Sequence, residues 1–184
     1  YLDSLKTTWE EYQKRYDCSL KDFEAICFHL RYPKLALKGL NKIIPKDLNP
    51  ENKERLTNNF DASITYSRQI GNIYTGSLYL GLLSLLEQSQ DLKAGDKIGF
   101  FSYGSGAVSE IFSGRLVEGY KDLLRSDRLD TFAKRQQLSV ADYEKLFYEE
   151  AQLDDTGSTQ FADYQTGAFR LAEISEHQRI YKGH

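Results

Sequence analysis

The residues best suited to chemistry lie near His29, at the point where an apolar run ends and a basic segment begins. An imidazole at the end of a buried strand can orient or protonate a substrate oxygen, because strand ends in α/β folds border ligand crevices. A partly buried histidine with a structural hydrogen bond is the alternative. Cys27 would share a strand face with His29, but residues two apart lie roughly 6 to 7 Å from each other, which disfavours a Cys–His nucleophile pair.

Three lysines follow at intervals of four residues: Lys34, Lys38 and Lys42, with Arg31 just before them. On a helix this spacing places the three ammonium groups on one face. Phosphates bind such faces through point charges, helped by the free N–H groups of a helix N-terminus. The segment therefore predicts a phosphate-binding ridge, with a merely solvated charged face as the alternative.

Two turns supply further hydrogen-bond donors. Asn72 follows Gly71, and Ser105 lies within a Gly-Ser-Gly sequence at 104–106. An asparagine amide and glycine-freed backbone N–H groups suit a carbonyl that gains negative charge, although both sequences also occur in ordinary turns. Ser105 does not fit the G-x-S-x-G spacing of a hydrolase nucleophile. The histidines at positions 29, 177 and 184 form no set with metal-ligand spacing.

Periodicity predicts the elements that position these residues. Residues 4–16 have the apolar spacing of an amphipathic helix, and residues 23–29 have the composition of a buried strand that ends at His29. Pro33 suits the first turn of a helix that runs to Pro45, and Asn49-Pro50 suits the start of another helix that runs towards residue 70. The spacing thus puts His29 and the lysines on a strand-to-helix connection.

The second half of the chain is predicted in the same way. Residues 71–87 indicate a helix buried nearly all round, and residues 97–103 and 107–117 indicate two strands joined by a glycine turn. Ser139 with Asp142 resembles a capping pair that begins a short helix through Tyr148. Residues 150–166 are acidic and loop-like, and residues 168–184 indicate a final strand pair. One α/β unit is the simplest interpretation.

Composition limits the class of protein. The chain has 184 residues, 40% of them hydrophobic, and a net charge of −3. This charge offers no general attraction for nucleic acid or an anionic membrane. The longest apolar stretch, residues 73–86, is shorter than the roughly 20 residues that span a bilayer. The absence of a signal-peptide pattern and of metal-type cysteine spacing predicts a reduced, cytoplasmic setting, and the lack of any methionine predicts a piece of something longer.

The order of the motifs is more specific than any one of them. His29 is followed by lysines at five and nine residues, then by GNIYTGS and GFFSYGSG. This order resembles the C-terminal half of bacterial 3-hydroxy-3-methylglutaryl-CoA (HMG-CoA) synthase, a thiolase-like condensing enzyme. The resemblance implies an α/β, thiolase-like fold with a mixed sheet packed by helices, one of them buried. It also implies a single C-terminal domain over residues 1–184, with the N-terminal catalytic half lying outside this chain.

The resemblance also implies roles for particular residues. His29 matches the histidine that contacts the acetoacetyl thioester carbonyl, and Lys34 and Lys38 match lysines near the CoA phosphates and the substrate. Asn72 matches an asparagine that hydrogen-bonds the substrate, and Ser105 matches a serine that contacts the acyl product. The family joins acetyl-CoA to acetoacetyl-CoA through an acetyl-cysteine, an aldol-like addition and hydrolysis, in the mevalonate pathway. CoA thioesters are thus the implied substrates, with no metal or other cofactor, in a homodimer.

Two departures from the family pattern have consequences. The family has a proline two residues after the histidine, whereas here the proline is Pro33, two places further on. The family's nucleophilic cysteine and acid/base glutamate belong to the N-terminal half, and neither Cys18 nor Cys27 has the nucleophile's context. The polypeptide alone is therefore expected to be inactive. Alternatives are a related enzyme of polyketide β-branching that acts on carrier-protein-bound acyl chains, and a non-catalytic CoA-binding or scaffold module.

Overall fold

The computed structural model describes residues 1–162 and 167–183. The chain divides into two compact units, Tyr1–Ser126 and Asp127–His184. Helices pack on a mixed sheet in the first unit, so the predicted α/β class is confirmed. The prediction of one domain over the whole chain stays a prediction.

The first unit contains four helices and three strands. In chain order they are α1 (Leu2–Tyr16), β1 (Ala25–Phe28), α2 (Pro33–Ile43), α3 (Pro50–Ile70), α4 (Gly76–Gln88), β2 (Lys97–Gly104) and β3 (Val108–Arg115). Two short 3-10 turns, Leu20–Asp22 and Tyr120–Leu123, were not predicted. β1, α2, α3, β2 and β3 agree with the predicted elements to within a few residues, whereas α4 begins at Gly76 rather than at the predicted residue 71, so Asn72 lies in the loop before the helix.

The central sheet has the order β1-β2-β3. β1 pairs with β2 in parallel, with Cys27 opposite Phe100, and β2 pairs with β3 in antiparallel orientation, with Phe100 opposite Phe112. All four residues of β1 are buried, which confirms the predicted buried strand. Because successive strand side chains point to opposite faces, Ile26 and Phe28 belong to one core cluster and Cys27 to the other.

Helices cover both faces of this sheet. Side chains of α1, α2 and α3 join the cluster that contains Ile26 and Phe28, among them Leu5, Trp9, Leu40, Leu56 and Phe60. Side chains of α4 join the other cluster, which includes Cys27, Leu78, Leu85, Ile98 and Phe100. The sheet is thus the middle layer of the unit, and its strand ends are the positions where loops meet.

Local signals start the helices that flank the candidate site. Pro33 occupies the first turn of α2, directly after Tyr32 in extended conformation, with φ −160°. At the start of α3, Oδ1 of Asn49 accepts a 2.8 Å hydrogen bond from the N–H of Asn52, and Pro50 follows. Both predicted helix starts are confirmed.

α4 is buried on one face rather than nearly all round. Its buried face consists of Ser77, Leu78, Gly81, Ser84 and Leu85, whereas Tyr79 is 58% exposed. α4 contacts α3, β1 and β2, and its Leu82 and Leu86 are only partly buried against the core cluster. The small side chains let α3 approach closely, since Oγ of Ser84 donates a 2.6 Å hydrogen bond to the carbonyl of Ala62. The prediction of burial all round was wrong because periodicity does not report what is available to cover a helix.

The described residues of the second unit form two helices and an antiparallel sheet. The elements are α5 (Arg128–Ala133), α6 (Val140–Tyr148), β4 (Thr159–Gln160), β5 (Phe169–Ser175) and β6 (Gln178–Gly183), with sheet order β4-β5-β6. The Oγ of Ser139 accepts a 3.1 Å hydrogen bond from the N–H of Asp142, which confirms the predicted helix start.

The predicted final strand pair is confirmed over the described residues by the pairing of β5 with β6. α5 and β4 were missed because they span six and two residues. Residues 163–166 of the predicted loop, and His184 of the final strand, lie outside the described residues. No helix in the described ranges has both the length and the hydropathy that a membrane crossing requires.

Candidate functional site

A cleft with a volume of about 440 Å³ lies at the end of β1 in the first unit. Its walls come from the β1–α2 connection, the α3–α4 connection and the β2–β3 hairpin. The lining residues are His29, Arg31, Asn72, Tyr74, Thr75, Tyr103, Gly104 and Ser105. The cavity is therefore lined by three residues that lie far apart in the sequence: His29, Asn72 and Ser105. Sequence analysis had selected each of them separately.

His29 follows the last residue of β1 and is held through its backbone. Its N–H donates a 2.8 Å hydrogen bond to the carbonyl of Phe101, and its carbonyl accepts a 3.1 Å hydrogen bond from Oη of Tyr1. Partial burial and, secondly, the nearby guanidinium of Arg31 lower the pKa of the imidazole below its ordinary value. The ring is therefore neutral near pH 7, with one N–H donor and one acceptor nitrogen.

Asn72 lies in the loop between α3 and α4. Its Oδ1 accepts a 2.8 Å hydrogen bond from the N–H of Tyr74 and a 3.4 Å hydrogen bond from Oγ of Ser77. This local bond accompanies the left-handed conformation of Tyr74, φ 54°. Because Oδ1 is engaged within the loop, the Nδ2 amide group remains available as a donor at the cleft.

Ser105 lies at the exposed tip of the β2–β3 hairpin. Gly104 pairs with Val108, so the loop has three residues, and the N–H of Ala107 donates a 3.1 Å hydrogen bond to the carbonyl of Gly104. Ala107 takes φ 60° at the last loop position, as hairpins of this length require. The hairpin thus presents the Ser105 hydroxyl at the end of the sheet nearest His29.

The lysines of α2 lie outside the cleft lining. Lys34 and Lys38 are exposed on α2 and are not among the residues that line the cavity. Nζ of Lys42 lies 2.6 Å from Oδ1 of Asp3, so the third ammonium group of the ridge forms an ion pair with α1. The cation in the wall is instead Arg31, which precedes the helix. The phosphate-binding role of Lys34 and Lys38 stays a prediction.

Apart from Gly104, which belongs to the glycine turn around Ser105, four lining residues were not selected from the sequence as site residues. Arg31 was recognised only as part of the basic segment, and Tyr74 and Thr75 only as letters of the GNIYTGS motif. Tyr103 lies two residues after Phe101 on β2, so the two side chains share a face, and the centroid of its ring lies 5.3 Å from that of Tyr1. Proximity in the motif was the only signal for these residues, since strand and loop patterns do not show which side chains face a cavity.

Neither cysteine is an activated thiol. Cys27 is fully buried in the core cluster on the α4 side of the sheet, and this burial raises the pKa of its thiol to about 12. Burial also raises the pKa of Cys18, which is half-buried. A thiolate nucleophile needs a lowered pKa, so the geometry gives no support to a Cys27–His29 pair. Among residues 1–162 and 167–183, no three His, Cys, Asp or Glu side chains are grouped as metal ligands.

Comparison with known proteins identifies the family. The family model described as hydroxymethylglutaryl-coenzyme A synthase C terminal matches residues 41–184. This chain belongs to that family. A solved structure of an HMG-CoA synthase complexed with CoA aligns over the whole chain with a TM-score of 0.89 and 66% identity. The predicted thiolase-like fold is confirmed by this structural similarity.

Two curated relatives represent the CoA branch and the polyketide branch of this HMG-CoA synthase family. The hydroxymethylglutaryl-CoA synthase of Enterococcus faecalis is 44% identical over 155 residues, which are 84% of this chain and 40% of the relative. The polyketide biosynthesis 3-hydroxy-3-methylglutaryl-ACP synthase of Bacillus subtilis is 29% identical over 154 residues, 80% of this chain and 36% of the relative. The chain is more similar to the CoA enzyme, and it spans less than half the length of the relatives that it matches.

Proposed function

We propose that this chain supplies the acetoacetyl-CoA side of an HMG-CoA synthase site. The whole reaction condenses acetyl-CoA with acetoacetyl-CoA and consumes one water to give HMG-CoA and CoA, a step of the mevalonate pathway. The observation that carries the proposal is the convergence of His29, Asn72 and Ser105 on one cleft. Membership of the HMG-CoA synthase family supports the choice of substrates.

The three side chains have suitable chemistry for this role. Acetoacetyl-CoA presents a thioester carbonyl and a ketone oxygen as hydrogen-bond acceptors, and in an aldol-like addition the ketone oxygen gains negative charge that a nearby donor stabilises. The neutral imidazole of His29 supplies one N–H, the amide of Asn72 supplies two, and the hydroxyl of Ser105 supplies one. We assign His29 to the acetoacetyl thioester carbonyl, Asn72 to a substrate oxygen and Ser105 to the acyl product.

The nucleophilic cysteine and the acid/base glutamate are proposed to come from outside this chain. The buried Cys27 supports this division, because a thiol with a raised pKa does not attack a thioester at neutral pH. Isolated, the chain should therefore neither become acetylated by acetyl-CoA nor condense it with acetoacetyl-CoA. Turnover of both substrates by the isolated chain would refute the division of roles.

Lys34 and Lys38 are proposed to contact the CoA phosphates from the exposed face of α2. Neither residue has an ion-pair partner within the part of the chain that the structure describes, so both ammonium groups are free to bind an anion. The effect of removing these lysines also distinguishes a CoA-bound acyl acceptor from one bound to a carrier protein. Loss of affinity for CoA in Lys34→Ala and Lys38→Ala supports a CoA-bound acceptor, whereas little change favours a substrate bound to a carrier protein.

The assembly and setting complete the proposal. We propose that the full-length enzyme is a cytoplasmic homodimer that uses CoA thioesters as substrates, needs no metal or further cofactor, and has neither nucleic acid nor a membrane as partner. The net charge of −3 supports the lack of a nucleic-acid partner. Analytical ultracentrifugation of the protein tests the dimer, and an observed monomer across the concentration range would contradict it.

Isothermal titration of the chain with acetoacetyl-CoA and with CoA tests the site itself. His29→Ala, Asn72→Ala and Ser105→Ala should each weaken acetoacetyl-CoA binding by about tenfold while changing CoA binding less, because each removes a donor to the acyl group. Asn58→Ala, on the exposed face of α3, is the matched control. Unchanged binding in all three site variants would favour a scaffold function instead.

A further inference from the structure

Arg31 is the one permanent cation among the residues that line the cleft. It lies in the short connection between His29 and the first turn of α2, where Pro33 fixes the course of the backbone. The lining consists otherwise of His29, tyrosines, and small or amide side chains, and it contains no carboxylate among the described residues. The wall therefore carries an uncompensated positive charge.

Two other arginines of the first unit, Arg55 and Arg115, have partners that explain their positions. Nε of Arg55 lies 3.2 Å from the carboxylate of Glu24, and its Nη2 donates to the carbonyl of Phe23 at 3.0 Å. Nη1 of Arg115 donates to the carbonyl of Gly95 at 2.7 Å. Arg31 has no hydrogen bond or ion pair within residues 1–162 and 167–183. Its guanidinium is thus not held by a hydrogen bond or an ion pair within the described residues.

We propose that Arg31 determines specificity by binding an oxyanion of the ligand in this cleft. This proposal rests on the proposed function, because it takes a CoA thioester as the ligand. A guanidinium is suited to the role, since its planar N–H groups can bind two oxygens of a carboxylate or a phosphate at once. The electrostatic effect of Arg31 on His29 supports its placement near the imidazole.

Two groups of the ligand have this chemistry. The hydroxymethylglutaryl group carries a free carboxylate at the acyl end, and CoA carries phosphates at the other end of the pantetheine arm. Acetoacetyl-CoA has the phosphates without the carboxylate, and the acetoacetyl thioester of pantetheine has neither. The three compounds therefore distinguish the two sources.

The experiment measures the dissociation constants of these three compounds by isothermal titration with the wild-type chain and with Arg31→Gln, Arg31→Lys and Arg15→Gln. Arg15 is an exposed arginine near the end of α1 and serves as the matched control. Arg31→Gln should weaken binding of HMG-CoA by about tenfold, as expected for one lost charge-assisted contact. The affinity of Arg31→Lys should lie between those of the wild-type chain and Arg31→Gln, because a lysine keeps the charge but not the paired N–H groups. Circular dichroism checks that each variant is folded.

The pattern of losses assigns the anion. A loss for HMG-CoA alone assigns the carboxylate, and an equal loss for HMG-CoA and acetoacetyl-CoA, with none for the pantetheine thioester, assigns a phosphate. Equal weakening of all three compounds, or of none, overturns the role of Arg31 while leaving the proposed function in place. Failure of the wild-type chain to bind any of the three refutes both proposals.

Discussion

Oδ1 of Asn72 accepts a 2.8 Å hydrogen bond from the N–H of Tyr74, so the amide oxygen is used within the loop and the NH₂ group is left for the cleft. The orientation is unambiguous because a backbone N–H can be paired only with the oxygen end of the amide. The loop therefore determines that Asn72 acts as a donor at the cleft. A substitution that removes the NH₂ group but keeps the oxygen tests this role.

Asn72→Asp keeps an oxygen for the Tyr74 N–H and replaces the donor with a carboxylate oxygen. We expect the free energy of unfolding to change by less than about 0.5 kcal/mol, and the affinity for acetoacetyl-CoA to fall by about tenfold or more, because a donor becomes a negative acceptor. Urea denaturation and isothermal titration measure the two effects. Asn58→Asp adds the same charge on exposed α3 and should leave both unchanged; equal affinity in the two variants would contradict the donor role.

Tyr1 stabilises the position of His29 through a hydroxyl and a ring. Its Oη donates to the carbonyl of His29 at 3.1 Å, and its ring packs edge-on against Phe101 at 5.2 Å. Tyr1→Phe should lower the free energy of unfolding by about 1 kcal/mol, since one hydrogen bond is lost, and Tyr1→Ala should cost more because the ring contacts are lost as well. Tyr16→Phe, 57% exposed, is the control. Equal stability of Tyr1→Phe and wild type in urea would refute the contribution of the hydroxyl.

The pKa of His29 can be measured by NMR titration of its ring protons. We expect a value below the ordinary 6.5, and a rise towards it in Arg31→Gln that is incomplete because burial, the larger cause, remains. Since the folded pKa is lower than the unfolded one, the unfolded chain binds more protons on acidification. The associated stability is therefore present above about pH 6.5 and is lost as the pH falls through the folded pKa.

Substitution of His29 tests the predicted direction of this pH dependence. In His29→Gln the free energy of unfolding should rise less steeply with pH between about 5 and 6.5 than in wild type, because the imidazole with the lowered pKa has been removed. Urea midpoints at several pH values measure it. A steeper slope in the variant, or a folded pKa above 6.5, would show that the imidazole is held in its charged form instead.

The two cysteines should differ in reactivity. Cys27 is completely buried, and the pKa of its thiol is raised to about 12, whereas Cys18 is half-buried. We expect the native chain to react with DTNB at Cys18 only, and at both thiols once unfolded, because the reagent needs an accessible thiolate. Cys18→Ser should therefore remove the native reaction. Labelling of native Cys27, or its acetylation by acetyl-CoA, would contradict its assignment as a core residue.

Gly99 permits the close packing of β2 against β1. A Cβ at this position would lie 2.5 Å from Cδ1 of Ile26 and 3.2 Å from Cδ1 of Phe23, both in the core. Gly99→Ala should lower the free energy of unfolding by about 1 to 3 kcal/mol, as overpacking of a core does. Gly106→Ala is the matched control, because nothing lies within 4 Å of its Cβ position. Thermal melting compares the two, and equal melting temperatures would contradict the packing argument.

Local signals in the sequence were sufficient for the elements around the site. The apolar run before His29, Pro33 after it and the Asn49-Pro50 pair each act within one or two turns of backbone, so their effects do not depend on the rest of the chain. The boundaries of β1, α2 and α3 follow from them to within a few residues. The Gly-rich hairpin is local in the same sense.

Longer-range properties were not accessible in this way. The sequence marked Lys34 and Lys38 because they recur on a helix face, but whether that face meets a cleft depends on how α2 lies against the sheet. In the same way, it did not single out Tyr103, whose place in the wall depends on packing against Tyr1. The incomplete burial of α4 likewise depends on what covers it, which hydrophobic periodicity does not encode.

By itself, the sequence determined the kinds of donor that this protein offers and the turns that carry them, because residue type and backbone preference are local. Only the tertiary structure brought His29, Asn72 and Ser105 together around one cleft, placed Arg31 in its wall and buried Cys27 on the α4 side of the sheet. For His29 and Ser105 the physical reason is the parallel pairing of β1 with β2, since it aligns the end of β1 with the hairpin that carries Ser105.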